Sequence, residues 1–138
     1  MSGHIFFKDR WYGFDDVLYT GARLLEIRSH EDHAIQTLNA LPNAICTLEL
    51  QMPCAEGEAF TLLEKIKANP VFPSSEAINT IDGVRVEYAD GFGLARPSNT
   101  TPIVVMRFEA DTQAAITRIQ EEFRQAFLSI KPEAKLPY

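Results

Sequence analysis

Positive charge is in short supply in this sequence: 13 lysines and arginines face 19 aspartates and glutamates over 138 residues, a formal net charge of -6 with a pI near 5.0. Non-specific binding to nucleic acid depends on neutralising many phosphates with basic residues, so the composition opposes that class of partner. A small anion remains allowed, because a few local donors outweigh a weak overall field. Long apolar runs are missing too. None approaches the roughly 20 residues that a spanning helix needs, and the opening "MSGHIFFKDR" lacks the layout of a secretory signal, so no membrane association and a cytoplasmic location are expected. Cysteine is scarce: Cys46 and Cys54 are too few for a disulfide framework, lack the paired spacing of a zinc site, and have no histidine beside them in sequence to activate a nucleophile. Cys46, in an apolar run, is expected to be a small buried side chain.

What is present suits one domain with a proper core. Residues 14–29, "FDDVLYTGARLLEIRS", place Val17, Leu18, Leu24, Leu25 and Ile27 behind Asp15 and Asp16, which predicts a helix of three to four turns. A polar stretch with Pro42 follows, and a linker is expected near residues 30–43. "TLELQM" alternates, with Leu48, Leu50 and Met52 on one face, and predicts a strand ended by Pro53. "EGEAFTLLEKIKANP" sets Phe60, Leu63 and Ile66 at helical spacing before an Asn69-Pro70 stop. Next come strand-like runs, "INTI", "VRVEY", "FGLAR" and "IVVMRFEA", with Asp82-Gly83 and Asp90-Gly91 as hairpin turns. Last is a helix with Asp111 as its expected N-cap and a stripe of Ile116, Ile119, Phe123, Phe127 and Ile130. The pattern predicts an α+β fold, a largely antiparallel sheet of about four strands with two helices on one face.

Between the last two strands stands "ARPSNTTP", residues 95–102. Pro, Ser, Asn and Thr are ordinary turn residues. The same residues also suit an oxyanion pocket: Arg96 offers a planar fork matching two phosphate oxygens, and Ser98, Thr100 and Thr101 add hydroxyls. A loop joining two strands at a sheet end is where a rigid scaffold holds a binding site.

Residues 82–111, "DGVRVEYADGFGLARPSNTTPIVVMRFEAD", resemble the C-terminal domain of the α-D-phosphohexomutases, marked by an R-x-S-x-T-x-P phosphate loop between two strands. "MSGH" followed by "FFKDRWYGFDD" resembles the end of the sugar-binding loop G-E-M-S-G-H in the same enzymes. With Met before Ser-Gly-His and Asn99 inside the loop, the chain looks most like the bacterial phosphomannomutase/phosphoglucomutase branch. The resemblance implies a fold like that of the TATA-box-binding protein for residues 39–138, called domain 4 in the family. Residues 1–38 would be the helical remnant of an α/β domain 3 carrying the sugar-binding loop.

It further implies that phosphate moves between C6 and C1 of glucose or mannose through a phosphoserine enzyme and a hexose 1,6-bisphosphate intermediate, with Mg2+ as cofactor. Arg96, Ser98, Asn99 and Thr100 would hold the phosphate that is not reacting, with Thr101 a weaker candidate. Ser2 and His4 would meet the sugar, His4 with a possible proton-transfer role. The family's phosphoserine and magnesium loops match nothing here, so the partners expected are a hexose phosphate and the remaining domains of a parent enzyme, and the chain alone is expected to be inactive. The alternatives are a stand-alone module that binds a phospho-ligand without catalysis, and a nucleic-acid module on the same kind of sheet. The acidic composition opposes the latter. His30 and His33 match nothing and are expected in solvent, and Lys8 and Arg10 are left outside the site.

Overall fold

The computed structural model describes residues 4–31, 34–41 and 44–138, in two compact units, Met1–Pro42 and Asn43–Tyr138. Ser2 and His33 lie outside the described residues.

In the first unit, helix α1 (Val17–Ser29) starts where expected because Asp16, in extended backbone, accepts hydrogen bonds from the amides of Leu18 and Tyr19. The segment before it is pinned by side chains: the Trp11 ring stacks on Tyr19 at 4.3 Å, and Arg10 grips Glu26 with two bonds of 3.0 Å. No residue of α1 is buried, so the apolar stripe read from the sequence, Leu18 and Leu25 included, faces outward. The expected linker is not featureless, since Ala34–Asn39 form a short helix, α2.

The second unit is an α+β layer. Among the described residues its sheet has six strands rather than about four: β1 (Ile45–Cys46), β2 (Leu50–Pro53), β3 (Ala77–Asn79), β4 (Val84–Tyr88), β5 (Gly91–Pro97) and β6 (Ile103–Ala110). All pairings are antiparallel, in the order β1-β6-β5-β4-β3, with β2 also on β6. Helices α3 (Glu58–Ala68) and α4 (Gln113–Ile130) share one core with the alternate residues Val84, Val86 and Tyr88 of β4 and Val104, Met106, Phe108 and Ala110 of β6. Side chains alternate across a strand, so both helices cover the same sheet face, as the sequence pattern implies. Phe108, Phe123 and Phe127 are buried outright, each worth about 1.5 to 3 kcal/mol. Gly93 of β5 lies against the Phe123 ring: a Cβ there would stand 2.3 Å from Cε2.

Several local expectations are corrected. The "TLELQM" strand is broken, because Cys46 pairs with Glu109 and Leu50 with Met106, four residues advancing against three. That extra residue is a bulge, and it leaves Leu48 at 87% exposure, away from Leu50 and Met52. Cys46 is exposed on this edge, not buried. Phe60 is 48% exposed because the buried face of α3 runs through Ala59, Leu62, Leu63 and Ile66. Helix α4 is capped by Thr112, not Asp111: the Thr112 hydroxyl accepts from the amide of Ala115 at 3.1 Å, while the Asp111 amide is spent on the Asp90 carbonyl. In the second hairpin the turn is Ala89-Asp90, since Gly91 already pairs with Tyr88 inside the strand ladder. Among the described residues, no helix is long and apolar enough to cross a membrane.

Candidate functional site

The loop at residues 98–102 leaves β5 and enters β6 at the end of the sheet. Pairing of Pro97 with Val104 and a bond from the Ser98 amide to the Ile103 carbonyl, 3.0 Å, hold its two stems together. The Cys54 amide donates to the Pro102 carbonyl at 2.9 Å and ties the loop to the end of β2.

Within the loop, Ser98 is the hub. Its Oγ accepts from the amides of Thr100 and Thr101, each at 3.3 Å, and lies 2.9 Å from the Thr101 hydroxyl and 3.4 Å from that of Thr100. The amide bonds are longer than the usual 2.7 to 3.2 Å range of such contacts, which makes them weak. The loop thus gathers hydroxyls and lightly held N-H groups at one point, the chemistry of an anion nest.

These donors form one wall of a cavity of about 110 Å³, lined by Ser98, Asn99, Thr100, Thr101 and Pro102. The other wall is Glu56, Gly57, Ala59 and Phe60, the entry and first turn of α3. Gly57 enters that helix with φ of 73° and no side-chain cap, a conformation that glycine alone adopts without cost. The N-terminal turn of α3, the positive end of its dipole, therefore borders the same cavity as the loop, while the negative charge of Glu56 beside it opposes an anion. Sequence reading missed this wall. Its signal is faint, a "GEAF" helix start whose aromatic residue shares helical spacing with Leu63 and Ile66.

Arg96 is placed differently. It pairs with Val105 on the sheet face opposite the helices and is absent from the cavity lining. Its guanidinium stands 3.9 Å from Asp82, with both side chains well exposed, a pair weakened by water. The turn carrying Asp82 is pressed against the Arg96 backbone: Gly83 has φ of 86°, and a Cβ there would lie 2.3 Å from the Ala95 carbonyl and 2.8 Å from Arg96 Cβ. The Asp-Gly pair of the sequence is thus the support behind the arginine. The structure brings together Ser98, Asn99, Thr100 and Thr101, and sets Arg96 at the foot of the same loop.

His4 belongs to the other unit. It is exposed, and its Nδ1 contacts the Asp15 carboxylate. Arg10, kept out of the site on sequence grounds, is occupied by Glu26, whose carboxyl its fork holds below the ordinary carboxylate range. His30 is exposed, as expected.

An antiparallel sheet with two helices on one face and a hydroxyl-rich loop at its end defines an α+β domain. The chain belongs to the family described as phosphoglucomutase/phosphomannomutase, C-terminal domain, which matches residues 49–126. It is 58% identical over 125 residues to a phosphoglucomutase of Neisseria meningitidis, covering 90% of this chain and 27% of that protein. With a phosphomannomutase/phosphoglucomutase of Pseudomonas putida it is 46% identical over 139 residues, covering 100% and 30%. A crystal structure of a phosphoglucomutase/phosphomannomutase family protein from Burkholderia thailandensis superposes with a TM-score of 0.90 at 56% identity, covering 100% of this chain and 29% of that one. The chain thus spans less than a third of the length of these relatives.

Proposed function

We propose that this chain is the part of a phosphohexomutase that anchors the non-reacting phosphate of a hexose phosphate while the other end is phosphorylated or dephosphorylated. The overall reaction is interconversion of the 6-phosphate and 1-phosphate of mannose or glucose through a bisphosphate intermediate. The observation that carries this reading is the convergence of Ser98, Asn99, Thr100 and Thr101 on a cavity of about 110 Å³ facing a helix N-terminus, with Arg96 at the loop's base. Phosphoryl transfer relies on positioning and charge stabilisation, so a firm grip on the idle phosphate keeps the reacting end in line.

In this role the amides of Thr100 and Thr101 exchange their weak bonds to Ser98 for phosphate oxygens, and Arg96 leaves Asp82 for the doubly charged ligand. Pro97 and Pro102 stiffen the exits. Residues 39–138 are the phosphate-holding domain, and residues 1–38, with Ser2 and His4, end the preceding domain and meet the sugar. The phosphoserine belongs to the remaining domains. Magnesium would assist phosphoryl transfer there; among the described residues no group of three His, Cys, Asp or Glu side chains is arranged to hold a metal.

An NMR titration with inorganic phosphate tests the reading. One bidentate arginine and a few neutral donors contribute about 3 to 5 kcal/mol, or roughly millimolar binding. The amides of Ser98, Asn99 and Thr100 are expected to shift first, with Arg96→Lys weakened because it keeps the charge and loses the fork, and Arg96→Ala nearly silent. Shifts centred on His30 and His33, or an Arg96→Ala variant that titrates like the parent chain, would overturn it.

A further inference from the structure

Two glutamates flank the entry of α3, and they do different things. Glu58 is spent on the fold: its carboxylate accepts from the Ala55 amide at 2.8 Å and holds Lys131 at 2.6 Å. Glu56 is exposed, makes no hydrogen bond or ion pair among the described residues, and borders the cavity opposite Ser98, Asn99 and Thr100. One turn further on, Phe60, 48% exposed, borders the same cavity. Neither side chain suits a bare phosphate, since the carboxylate repels it and the ring has no polar donor to offer. The cavity also has space to spare: one water needs about 10 to 15 Å³, against about 110 Å³ here. Donors on one wall, with an unpaired carboxylate and an open aromatic ring on the other, fit a ligand whose ends differ in chemistry.

We propose that Glu56 and Phe60 form the carbohydrate side of the phosphate cavity and set its specificity: the Glu56 carboxylate accepts hydrogen bonds from hydroxyls of a sugar phosphate, and the Phe60 ring packs on the apolar C-H face of the pyranose. The proposal rests on the reading of the loop as a phosphate site given above. A carboxylate only accepts, and a pyranose carries a row of hydroxyl donors. The same sugar presents patches of C-H between those hydroxyls, which an aromatic ring covers at little entropic cost. Glu56 acts by difference. Its charge disfavours every phosphate, and only a ligand with hydroxyls in reach recovers the loss. The cavity thereby turns away phosphate compounds without a sugar and admits those that carry one, which is how a site built to hydrogen-bond a hydroxyl discriminates.

The test is an NMR titration of the 138-residue chain with methyl phosphate and with glucose 1-phosphate at about pH 8, where both are dianions. Both are expected to shift the amides of Ser98, Asn99 and Thr100. Glucose 1-phosphate should also move the Glu56 and Gly57 amides and the Phe60 ring, and bind about five- to tenfold more tightly, the effect of one or two added hydrogen bonds and a ring contact. Glu56→Gln removes a charge that opposes phosphate, so methyl phosphate should bind about two- to fivefold more tightly while the preference for the sugar ester falls. Phe60→Ala should lower the same preference. Both side chains are exposed, and the β5 and β6 amides report that each variant keeps its fold. Equal affinity of the parent for the two probes, or a preference that survives both substitutions, would overturn the proposal and leave the phosphate loop standing. Loop amides that neither probe shifts would remove the phosphate reading and the proposal with it.

Discussion

Gly93 is where the packing of the phosphate-loop scaffold can be tested most sharply. It sits in β5 three residues before Arg96, and an added Cβ would stand 2.3, 2.8 and 3.0 Å from three atoms of the Phe123 ring. The ring has nowhere to go: it is 1% exposed, lies 4.9 Å from Phe72 and meets Phe108 edge-on at 5.3 Å. Overpacking a tight core costs about 1 to 3 kcal/mol, and a contact more than 1 Å too short belongs at the upper end. Restricting the unfolded chain returns about 0.4 to 1 kcal/mol. Gly93→Ala should therefore destabilise the second unit by about 2 kcal/mol, or lower its Tm by about 10 °C.

Tryptophan fluorescence is the wrong probe, because Trp11 lies in the other unit. Urea unfolding followed through the β5 and β6 amides by NMR reads the right one. The mechanism also predicts coupling: Phe123→Leu trims the ring, so the double variant should be at least 0.5 to 1 kcal/mol or so more stable than the sum of the single effects. A Gly93→Ala chain within about 0.5 kcal/mol of the parent, or strict additivity with Phe123→Leu, would refute the close-contact argument.

Two further outcomes follow from single contacts. Thr112→Ala should cost about 1 kcal/mol through loss of the α4 cap, while Asp111→Ala should be close to neutral by the same urea assay; the reverse order would restore Asp111 as the cap. The Tyr138 hydroxyl is buried without a partner among the described residues, while its ring packs edge-on against Phe108, so Tyr138→Phe is expected to be neutral or stabilising by up to about 1 kcal/mol. Burial pushes the Tyr138 phenol above its ordinary value of 10.0. Above that value the unfolded chain loses a proton that the folded one keeps, so this stability is full below it and falls as pH rises. Alkaline denaturation that is as steep in Tyr138→Phe as in the parent would show that this phenol plays no part.

Residues that act on their immediate neighbours were legible in the sequence. Asp16 ahead of α1, the Asn69-Pro70 end of α3 and the apolar period of α4 through Phe127 depend on hydrogen bonds and spacing within a turn or two, and they stand where the pattern put them. The α+β class followed, because alternating runs punctuated by turn residues leave few other ways to bury one face. The donor-rich loop between the last two strands was legible for the same reason.

Facing was another matter. Leu48 turns outward because a bulge against β6 shifts its register, and Cys46 is exposed because it lies on a two-residue edge. Phe60 leaves the core for the cavity rim because Ala59, Leu62 and Leu63 fill the space beneath α3. Arg96 and the hydroxyls after it are neighbours in sequence, yet strand alternation sends the arginine to one sheet face while the loop turns toward α3. Each of these depends on which distant segment occupies the adjoining volume. Sequence by itself set the elements and the chemistry of the loop; only the packed sheet, where every side chain must yield to its cross-strand neighbour, decided which wall the loop faces and what stands behind it.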